Sequence, residues 1–475
     1  MPQDSNGAGA GPDEGAWAET PIDARLKVVR RLRSLLARDA EAFLADLAPR
    51  PPAQALLAEI LPLADACRFL VREARAALRP RRLGAGGRPL WLVGHKAEVR
   101  REPFGRVLVI GPSNYPLLLP GVQAVQALAA GNAVLVKPAP GAAAPMARLG
   151  ALLAEAGLPA GLLTVLDEDP AAAWQALEGD GRPDLVVLTG SVSTGRQVLE
   201  RLASLAIPAI VELSGSDAVF LLPGADPGLA ARAVAFGLRL NGGATCIAPR
   251  RVFVPPDLQA PFEAALVQAL RAVPPAPAPP PVRERLRPLL AEAAAKGARF
   301  LPTSPDLDQD DMPPLAVMGA APDWRLLQAD VFAPVVAVVK VPDMEAALEA
   351  DRRCPYALGA AVFGPPAEAE ALARRVDAGT VTVNDLIAPT ADPRLPFEGR
   401  RESGFGPTRG AEGLLALTRT KVITVRAGRF RPHYDPTGPA HLAAGLALLR
   451  ATHGEGGRAK AVARLVGALR GLAGR

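Results

Sequence analysis

The chain has 475 residues, 49% of them hydrophobic and only 4% aromatic, with a formal net charge of +6. This length predicts two or three domains with cores of Leu, Val and Ala, and the lack of a basic stripe with stacking aromatic residues argues against nucleic-acid binding. Three cysteines, no apolar signal region and no apolar run of about 18 residues predict a cytoplasmic protein without a disulfide framework or a spanning helix.

The N-terminal part predicts helices followed by a hairpin. Residues 1–16 are Gly-rich and polar, which is typical of disorder. Apolar residues recur at helical spacing over 22–47 and again over about 53–78. Residues 79–88 are a predicted loop, and the next segment, PLWLVGHKAEVRRE, is typical of a β-hairpin that turns near Gly94.

Strands and helices then alternate, which predicts a parallel sheet wound on both faces. Continuous Val, Leu and Ile runs favour strands buried on both sides. The predicted strands are 106–111, 132–138, 162–166, 184–190 and 209–213, and the predicted helices are 120–130, 143–156 and 194–205.

A similar alternation runs from Val219 to about Asn384 and is interrupted by VPPAPAPPPV at 273–282. Proline there predicts a surface connector that cannot join a sheet, with a domain linker as the alternative. The end of the chain has apolar residues at helical spacing, with arginines nearby, at Val462, Leu465, Val466, Leu469 and Leu472. This helix packs on the body of the protein or on a neighbouring subunit, or it lies on a membrane surface.

Three polar residues have settings that favour catalysis. Cys246 follows Gly242 and Gly243, whose backbone freedom lets a turn expose the thiol. Glu212 ends the apolar run AIVEL, where loss of solvent raises a carboxyl pKa toward the range of a general base. Asn114 follows a predicted strand end, and its amide can donate to an oxyanion. Each also has a structural interpretation: a buried thiol, an exposed strand terminus and a turn-forming asparagine.

Two further strand ends favour an anionic ligand. Lys137 ends VLVK and can contact ribose hydroxyls or phosphate. In TGSVSTG, the residues Gly190, Ser191 and Gly195 lie at a strand-to-helix turn, where helix amides favour a phosphate. No metal site is predicted.

Taken in order, the motifs resemble the aldehyde dehydrogenase superfamily from about Trp17 to Val425. The segments that carry the resemblance are NYP, GNAVLVKP, LTGS with a Gly five residues after Gly190, VELSG, GATCIAP and PFEGRRESGFG. The tail RFRPHYDP at 429–436, followed by a helix, is similar to the class-3 branch, which favours medium-chain or aromatic aldehydes.

The resemblance implies an α/β fold with two doubly wound domains and a small β element for bridging and oligomerisation. The dinucleotide-binding domain is expected at 17–85 and 102–215, and the catalytic domain at 216–402. The oligomerisation element is expected at 86–101 and 418–427, before a tail helix within 428–475. A homodimer or higher homo-oligomer follows from the exposed hairpin PLWLV.

The resemblance also implies a mechanism. Cys246 forms a thiohemiacetal and then a thioester, Asn114 holds the oxyanion, and Glu212 activates the water that releases the acid. Lys137 is expected at the adenosine ribose, Gly190 and Ser191 at the pyrophosphate, and Asp330 with Phe332 at the nicotinamide end. The other cofactor-site residues implied are Pro112, Ser113, Gly195 and Leu213.

The chain departs from the family pattern at four positions. Pro140 replaces a Glu that favours NAD, so NADP is expected to be used at least comparably to NAD, unless another acid such as Glu168 restores the preference. Ser214, Ala244 and Asp330 stand where Gly, Gln and Glu are usual. Two alternatives remain open: a CoA-acylating dehydrogenase or acyl-CoA reductase, and a non-catalytic homologue that acts as a scaffold.

Overall fold

The structure, a computed structural model, describes residues 14–92, 94–179, 181–427, 431–434, 436–454 and 458–473. The chain divides into two compact units. Unit 1 comprises residues 1–81 and 100–421, and unit 2 comprises residues 82–99 and 422–475. Within the described residues, no helix is both long and apolar enough to cross a membrane.

The strands, in chain order, are β1 Arg81–Leu83, β2 His95–Pro103, β3 Arg106–Ile110, β4 Ala133–Lys137, β5 Leu163–Val165, β6 Leu185–Thr189, β7 Ala209–Glu212, β8 Asp217–Leu221, β9 Pro249–Val254, β10 Ala276–Pro277, β11 Arg299–Leu301, β12 Asp311–Met312, β13 Leu315–Ala320, β14 Val335–Lys340, β15 Tyr356–Ala357, β16 Gly359–Phe363, β17 Thr380–Val383, β18 Arg400–Arg401, β19 Gly404–Phe405 and β20 Thr418–Arg426.

The α-helices are α1 Glu14–Glu19, α2 Ile22–Arg38, α3 Ala40–Asp46, α4 Pro52–Ala55, α5 Leu61–Ala77, α6 Leu118–Ala130, α7 Ala143–Glu155, α8 Pro170–Glu178, α9 Val192–Leu205, α10 Pro227–Arg239, α11 Gln259–Arg271, α12 Pro280–Ala295, α13 Met344–Arg352, α14 Pro366–Ala373, α15 Gly410–Ala416, α16 Pro439–His453 and α17 Arg458–Ala473.

Unit 1 contains a six-stranded sheet in the order β19-β7-β6-β3-β4-β5. All neighbours are parallel except β19, which pairs antiparallel with β7. Alternate side chains of β3 enter different cores: Val107 and Val109 pack with α2, α5, α6 and α7, while Leu108 and Ile110 pack with α8 and α9. The sheet is therefore covered on both faces, which explains its continuous apolar strands.

The second large sheet of unit 1 has seven strands in the order β11-β13-β14-β9-β8-β16-β17. It is parallel except at its edge strand β11, which is antiparallel to β13. Its two faces also bury different cores, since Phe220 and Leu221 are neighbours on β8 but belong to opposite sides. The predicted α/β fold with doubly wound parallel sheets is confirmed.

Several local predictions need correction near the N-terminus. The helix predicted over 22–47 breaks at Asp39 into α2 and α3. The helix predicted over about 53–78 contains a π-helical segment at Leu56–Ile60. The predicted disorder of 1–16 lies outside the described residues except for 14–16, which begin α1.

The hairpin predicted over PLWLVGHKAEVRRE is also wrong in its first arm. Residues Leu90–Leu92 form a 3₁₀ turn, and β2 is paired in the order β1-β2-β20. The first arm of the hairpin is β1, which lies inside the segment 79–88 predicted as a loop. The connection between β1 and β2 is longer than the two-residue turn of a tight hairpin.

The proline-rich segment 273–282 joins a sheet after all, although only for two residues. Ala276 and Pro277 of β10 pair with Met312 and Asp311 of β12. Proline is tolerated there because the ladder has only two strands and each is an edge. The segment then enters α12, with Pro280 in its first turn, where a missing N–H costs nothing.

Candidate active site

The turn that carries Cys246 runs from the end of α10 to β9. Its backbone passes through left-handed conformations at Asn241 (φ 53°), Gly242 (φ 59°) and Gly243 (φ 74°). A Cβ atom at Gly243 would lie 2.6 Å from the carbonyl oxygen of Ala333, so the position requires glycine on steric grounds as well. The buried guanidinium of Arg250 donates to the carbonyls of both Gly243 and Ala333, and these hydrogen bonds hold the turn in place.

Asn114 is attached to this turn. Its side-chain Nδ2 donates to the carbonyl oxygen of Ala244 at 3.1 Å. Asn241 Nδ2 donates to the same oxygen at 3.1 Å and to the Asn114 carbonyl oxygen at 3.0 Å. The two predicted residues Asn114 and Cys246 thus belong to one hydrogen-bonded assembly, in which the Asn114 amide is engaged by the backbone two residues before the thiol.

A buried ion pair holds the Asn114 loop from its other side. Arg50 donates to Glu59 and to the carbonyl oxygen of Asn114, and its guanidinium lies 5.3 Å from the ring centroid of Tyr115. Glu59 is fully buried and also accepts from the backbone N–H groups of Leu117 (3.0 Å) and Leu118 (2.8 Å) at the start of α6. The Tyr115 hydroxyl is 2.7 Å from Thr245 Oγ1, so the loop contacts the residue before Cys246.

Glu212 ends β7 and is only 3% exposed. Its Oε2 accepts from the Thr408 hydroxyl at 3.1 Å. Burial raises the pKa of Glu212, while the charge of Arg409 and the Thr408 hydrogen bond lower it. The segment PFEGRRESGFG explains this setting, because its β19 pairs Gly404 directly with Glu212 and places the next residues over the carboxyl.

Cys246 is the only one of the three cysteines that is not fully buried. Burial raises the pKa of the Cys246 thiol, the negative charges of Glu212 and Asp217 raise it further, and Arg409 lowers it. The thiol therefore rests protonated at neutral pH, and it needs a base to become a nucleophile. Its apolar neighbours are Ile247, Leu358 and Phe397.

Two of the departures from the family pattern, Ser214 and Asp330, lie in contact with each other. The Ser214 hydroxyl donates to Asp330 Oδ2, so two residues that the sequence treats separately are in contact. The backbone of Ser214 is held in turn by the Ser403 hydroxyl, which donates to its carbonyl at 2.7 Å. Gly215 must be glycine, because a Cβ there would lie 2.4 Å from the Cys246 carbonyl oxygen.

The two carboxylate oxygens of Asp330 differ in their hydrogen bonding. Its Oδ2 accepts from Ser214, whereas its buried Oδ1 has no hydrogen-bond partner among the residues that the structure describes. Burial raises the pKa of Asp330, and the Ser214 hydrogen bond and Arg250 lower it. A buried acceptor without a donor is costly, and a ligand hydroxyl would satisfy it. Phe332 is half-buried two residues further along.

The predicted phosphate turn lies between the end of β6 and the start of α9. Ser191 caps α9, accepting from the Thr194 N–H at 3.1 Å. The amide of Gly195 is already used, since it donates to the Ser191 carbonyl at 2.8 Å inside the helix. Gly195 also has a packing role, because a Cβ there would lie 2.7 Å from Leu213 Cδ2. Gly195 and Leu213 therefore form a buried contact that sets the distance between α9 and β7.

Lys137 ends β4 and is 5% exposed. Burial lowers the pKa of its ammonium group, and the nearby charges of Asp169, Glu168 and Asp167 raise it. Pro140, by contrast, is exposed. Of the remaining predicted cofactor residues, Pro112 is half-buried and Ser113 exposed in the loop after β3, and Gly190 donates its N–H to the Glu212 carbonyl at 3.1 Å.

Three residues near the thiol were missed by the sequence argument: Asp217, Thr408 and Arg409. Burial raises the pKa of Asp217 to about 7, and its Oδ1 accepts from the Gly359 N–H at 3.1 Å. Arg409 donates to the Thr390 carbonyl at 2.7 Å and lies over the ring of Phe397 at 4.5 Å. The available signal was proximity in sequence, since Asp217 follows VELSG and Arg409 follows PFEGRRESGFG.

Comparisons with known proteins identify the family of the chain. The model of the aldehyde dehydrogenase family matches residues 6–423. A 4,4'-diapolycopene aldehyde oxidase of Methylomonas sp is 30% identical over 414 residues, covering 84% of this chain and 77% of that protein.

Solved structures give the same result. An aldehyde dehydrogenase of Mycobacterium tuberculosis complexed with NAD+ has a TM-score of 0.79 at 25% identity, with 88% of each chain covered. An NADP-dependent glyceraldehyde-3-phosphate dehydrogenase from Bacillus halodurans complexed with NADP has a TM-score of 0.79 at 26% identity, covering 87% of this chain and 88% of that one.

Proposed function

Because the chain belongs to the aldehyde dehydrogenase family, we propose that it oxidises an aldehyde to a carboxylic acid with Cys246 as nucleophile and Glu212 as general base. One observation carries the proposal: a half-buried thiol, a buried carboxyl and a side-chain amide meet around a single strained turn. The apolar neighbours of the thiol, Ile247, Leu358 and Phe397, suit the hydrocarbon part of an aldehyde.

The first step joins the aldehyde to the enzyme. The thiol of Cys246 gives its proton to solvent, and the positive charge of Arg409 favours the thiolate. The sulfur attacks the carbonyl carbon, a C–S bond forms, and the electron pair of the C=O bond moves to oxygen. Asn114 Nδ2 exchanges its bond to Ala244 for one to this oxyanion, since a charged acceptor makes the stronger hydrogen bond.

The residues at the carboxyl ends of the six-stranded sheet fit a nicotinamide dinucleotide. The unpartnered Oδ1 of Asp330 can accept from a ribose hydroxyl, the Lys137 ammonium can donate to the adenosine ribose, and the first turn of α9 can face the pyrophosphate. The other residues that we include in this site are Gly190, Ser191, Gly195, Pro112, Ser113, Leu213 and Phe332. A bound dinucleotide supplies the acceptor for the hydride that leaves the former aldehyde carbon.

Release of the acid uses Glu212 as the general base. Glu212 removes a proton from water, the water oxygen attacks the thioester carbon, and the C–S bond breaks to return the thiolate of Cys246. A CoA-acylating enzyme would use a thiol acceptor instead of water. The buried carboxyl of Glu212, close enough to raise the pKa of Cys246, favours water.

A panel of aldehydes with NAD and with NADP, followed by the absorbance of the reduced cofactor, tests the proposal. Cys246→Ala is expected to abolish oxidation and leave dinucleotide binding intact. Cys67→Ala is the matched control, because Cys67 is fully buried in the core packed on α5. Full activity of the Cys246 variant would refute the assignment and favour a non-catalytic homologue. Rapid acyl transfer to CoA by the parent would favour the CoA-acylating alternative.

We further propose that 17–85 with 102–215 binds the dinucleotide, that 216–402 is the catalytic domain, and that 86–101 with 418–427 serves oligomerisation. Support comes from exposed apolar side chains in unit 2: Trp91 is 66% exposed, Val422 60% and Val425 57%. Such residues are a liability unless a partner covers them. Light scattering at micromolar concentration is expected to show a dimer or larger oligomer, and a monomer alone would contradict the assembly.

A further inference from the structure

The two C-terminal helices of unit 2 expose several of their large apolar side chains. Helices α16 and α17 pack against each other. In α16 the buried side chains are small, Ala444 and Ala447, whereas Leu442 is 65% exposed, Leu446 40% and Leu449 56%.

The exposed leucines lie on one face, since their spacing of four and three residues corresponds to successive helical turns. In α17, Val462 (48% exposed) and Val466 (44% exposed) are likewise one turn apart. Helix α16 thus buries two alanines while three of its leucines are exposed, and α17 exposes two valines, which is unusual for a helix pair that faces water.

Charge is concentrated in the same segment. Residues 436–475 contain six cationic side chains and one acidic side chain, a formal net charge of +5 out of +6 for the whole chain. Residues 1–435 are therefore close to neutral. The exposed Arg450, Lys460 and Arg464 lie on the same two helices as the exposed leucines and valines.

We propose that the apolar and cationic surface of α16 and α17 binds an anionic lipid bilayer and lies in its interface. Large apolar side chains with arginine and lysine around them are the composition of interfacial helices. The helices have 15 and 16 residues, short of the about 20 that a spanning helix needs, so the hairpin lies on the surface. A second copy of the chain is a poorer occupant, because it would bring a segment of the same +5 charge against this one.

The test is cosedimentation of the full chain with vesicles of phosphatidylcholine alone or of phosphatidylcholine mixed with phosphatidylglycerol. Binding is expected only to the anionic vesicles, and it should weaken as salt screens the charges. Removing three cations in Arg450→Gln/Lys460→Gln/Arg464→Gln should weaken binding roughly 100-fold, at about fivefold for each cation.

A second variant tests the apolar face, and a third serves as control. Leu442→Glu/Leu446→Glu/Leu449→Glu should lose vesicle binding while aldehyde oxidation and the circular dichroism spectrum stay unchanged, because these side chains are exposed and far in sequence from Cys246. Leu57→Glu, at a 63% exposed leucine of unit 1, should bind vesicles like the parent.

Three results would overturn the proposal. The parent could fail to bind either vesicle, or bind both equally with no effect of the cation variant, or the leucine variant could retain binding. If the leucine variant instead lowered the mass of an oligomer in light scattering without vesicles, the face would be an interface between copies.

Discussion

The turn around Cys246 and the segment from Lys137 to Pro140 differ in how tightly their surroundings constrain them. The Cys246 turn has left-handed backbone conformations, glycines without space for a Cβ, and buried donors from Arg250 and Asn241. At the other edge Pro140 is exposed, and the hydroxyl contacts around Ser191 are local and exposed. We therefore expect larger effects from substitutions at the Cys246 turn, where interior contacts hold the backbone, than at the exposed Pro140.

The largest effect after loss of the thiol is expected at Glu212. In Glu212→Gln, thioester formation continues while hydrolysis slows by roughly 10²–10⁴-fold, the usual contribution of a general base. The measurement is a burst of about one reduced cofactor per site followed by slow turnover. Normal steady-state turnover would mean that another group activates the water.

The same variant gives an independent readout of the thiol. Since the charge of Glu212 raises the pKa of Cys246, its removal should lower that pKa and speed alkylation by iodoacetamide at neutral pH. Asp217→Asn should act in the same direction, because Asp217 also raises the pKa of the thiol. Unchanged alkylation in both would show that neither carboxylate influences the nucleophile. Cys67 should stay unreactive in all variants.

An intermediate effect is expected for the ion pair that supports the Asn114 loop. Arg50 and Glu59 have side chains 10% and 0% exposed, so Arg50→Met leaves a buried carboxylate unpaired at a cost of about 3–5 kcal/mol. The exposed pair of Arg38 with Glu155 is the control, and Arg38→Met should cost no more than about 1 kcal/mol. Denaturation midpoints measure both, and equal shifts would contradict the comparison.

The pH dependence of that effect has a defined sign. Burial raises the pKa of Glu59 in the folded state, and loss of Arg50 raises it further. Above the unfolded pKa the ionised carboxyl therefore favours the unfolded state, so the penalty of Arg50→Met should shrink as the pH falls through the raised folded-state pKa of Glu59. Arg50→Met/Glu59→Gln should recover part of the loss at neutral pH. Failure of both would remove the unpaired charge as the cause.

The smallest effect concerns cofactor choice. Pro140 provides neither charge nor acceptor, so kcat/KM with NADP is expected to equal or exceed that with NAD, within about tenfold, the value of one charged hydrogen bond. Glu168 is the competing group, since its charge acts on Lys137. A preference for NAD above about a hundredfold that Glu168→Gln removes would assign the discrimination to Glu168.

The sequence by itself determined the doubly wound sheets, the strand ends that carry Asn114, Lys137 and Glu212, and the glycines beside Cys246. Apolar runs and turn residues report local backbone geometry and burial, and these depend mainly on neighbours in the chain. The same local reasoning misplaced β1 and missed the break at Asp39.

Only the tertiary structure decided which side chains meet. The contact of Ser214 with Asp330, the effect of Asp217 on Cys246, and the link from Glu59 through Arg50 to Asn114 join residues that are 9 to 116 positions apart. No periodicity encodes such contacts, because they arise when separate elements of the chain pack together. The C-terminal helices follow the same rule: helical spacing over 462–472 predicted the helix that is α17, but only the burial of Ala444 and Ala447 showed which face of α16 was left outside.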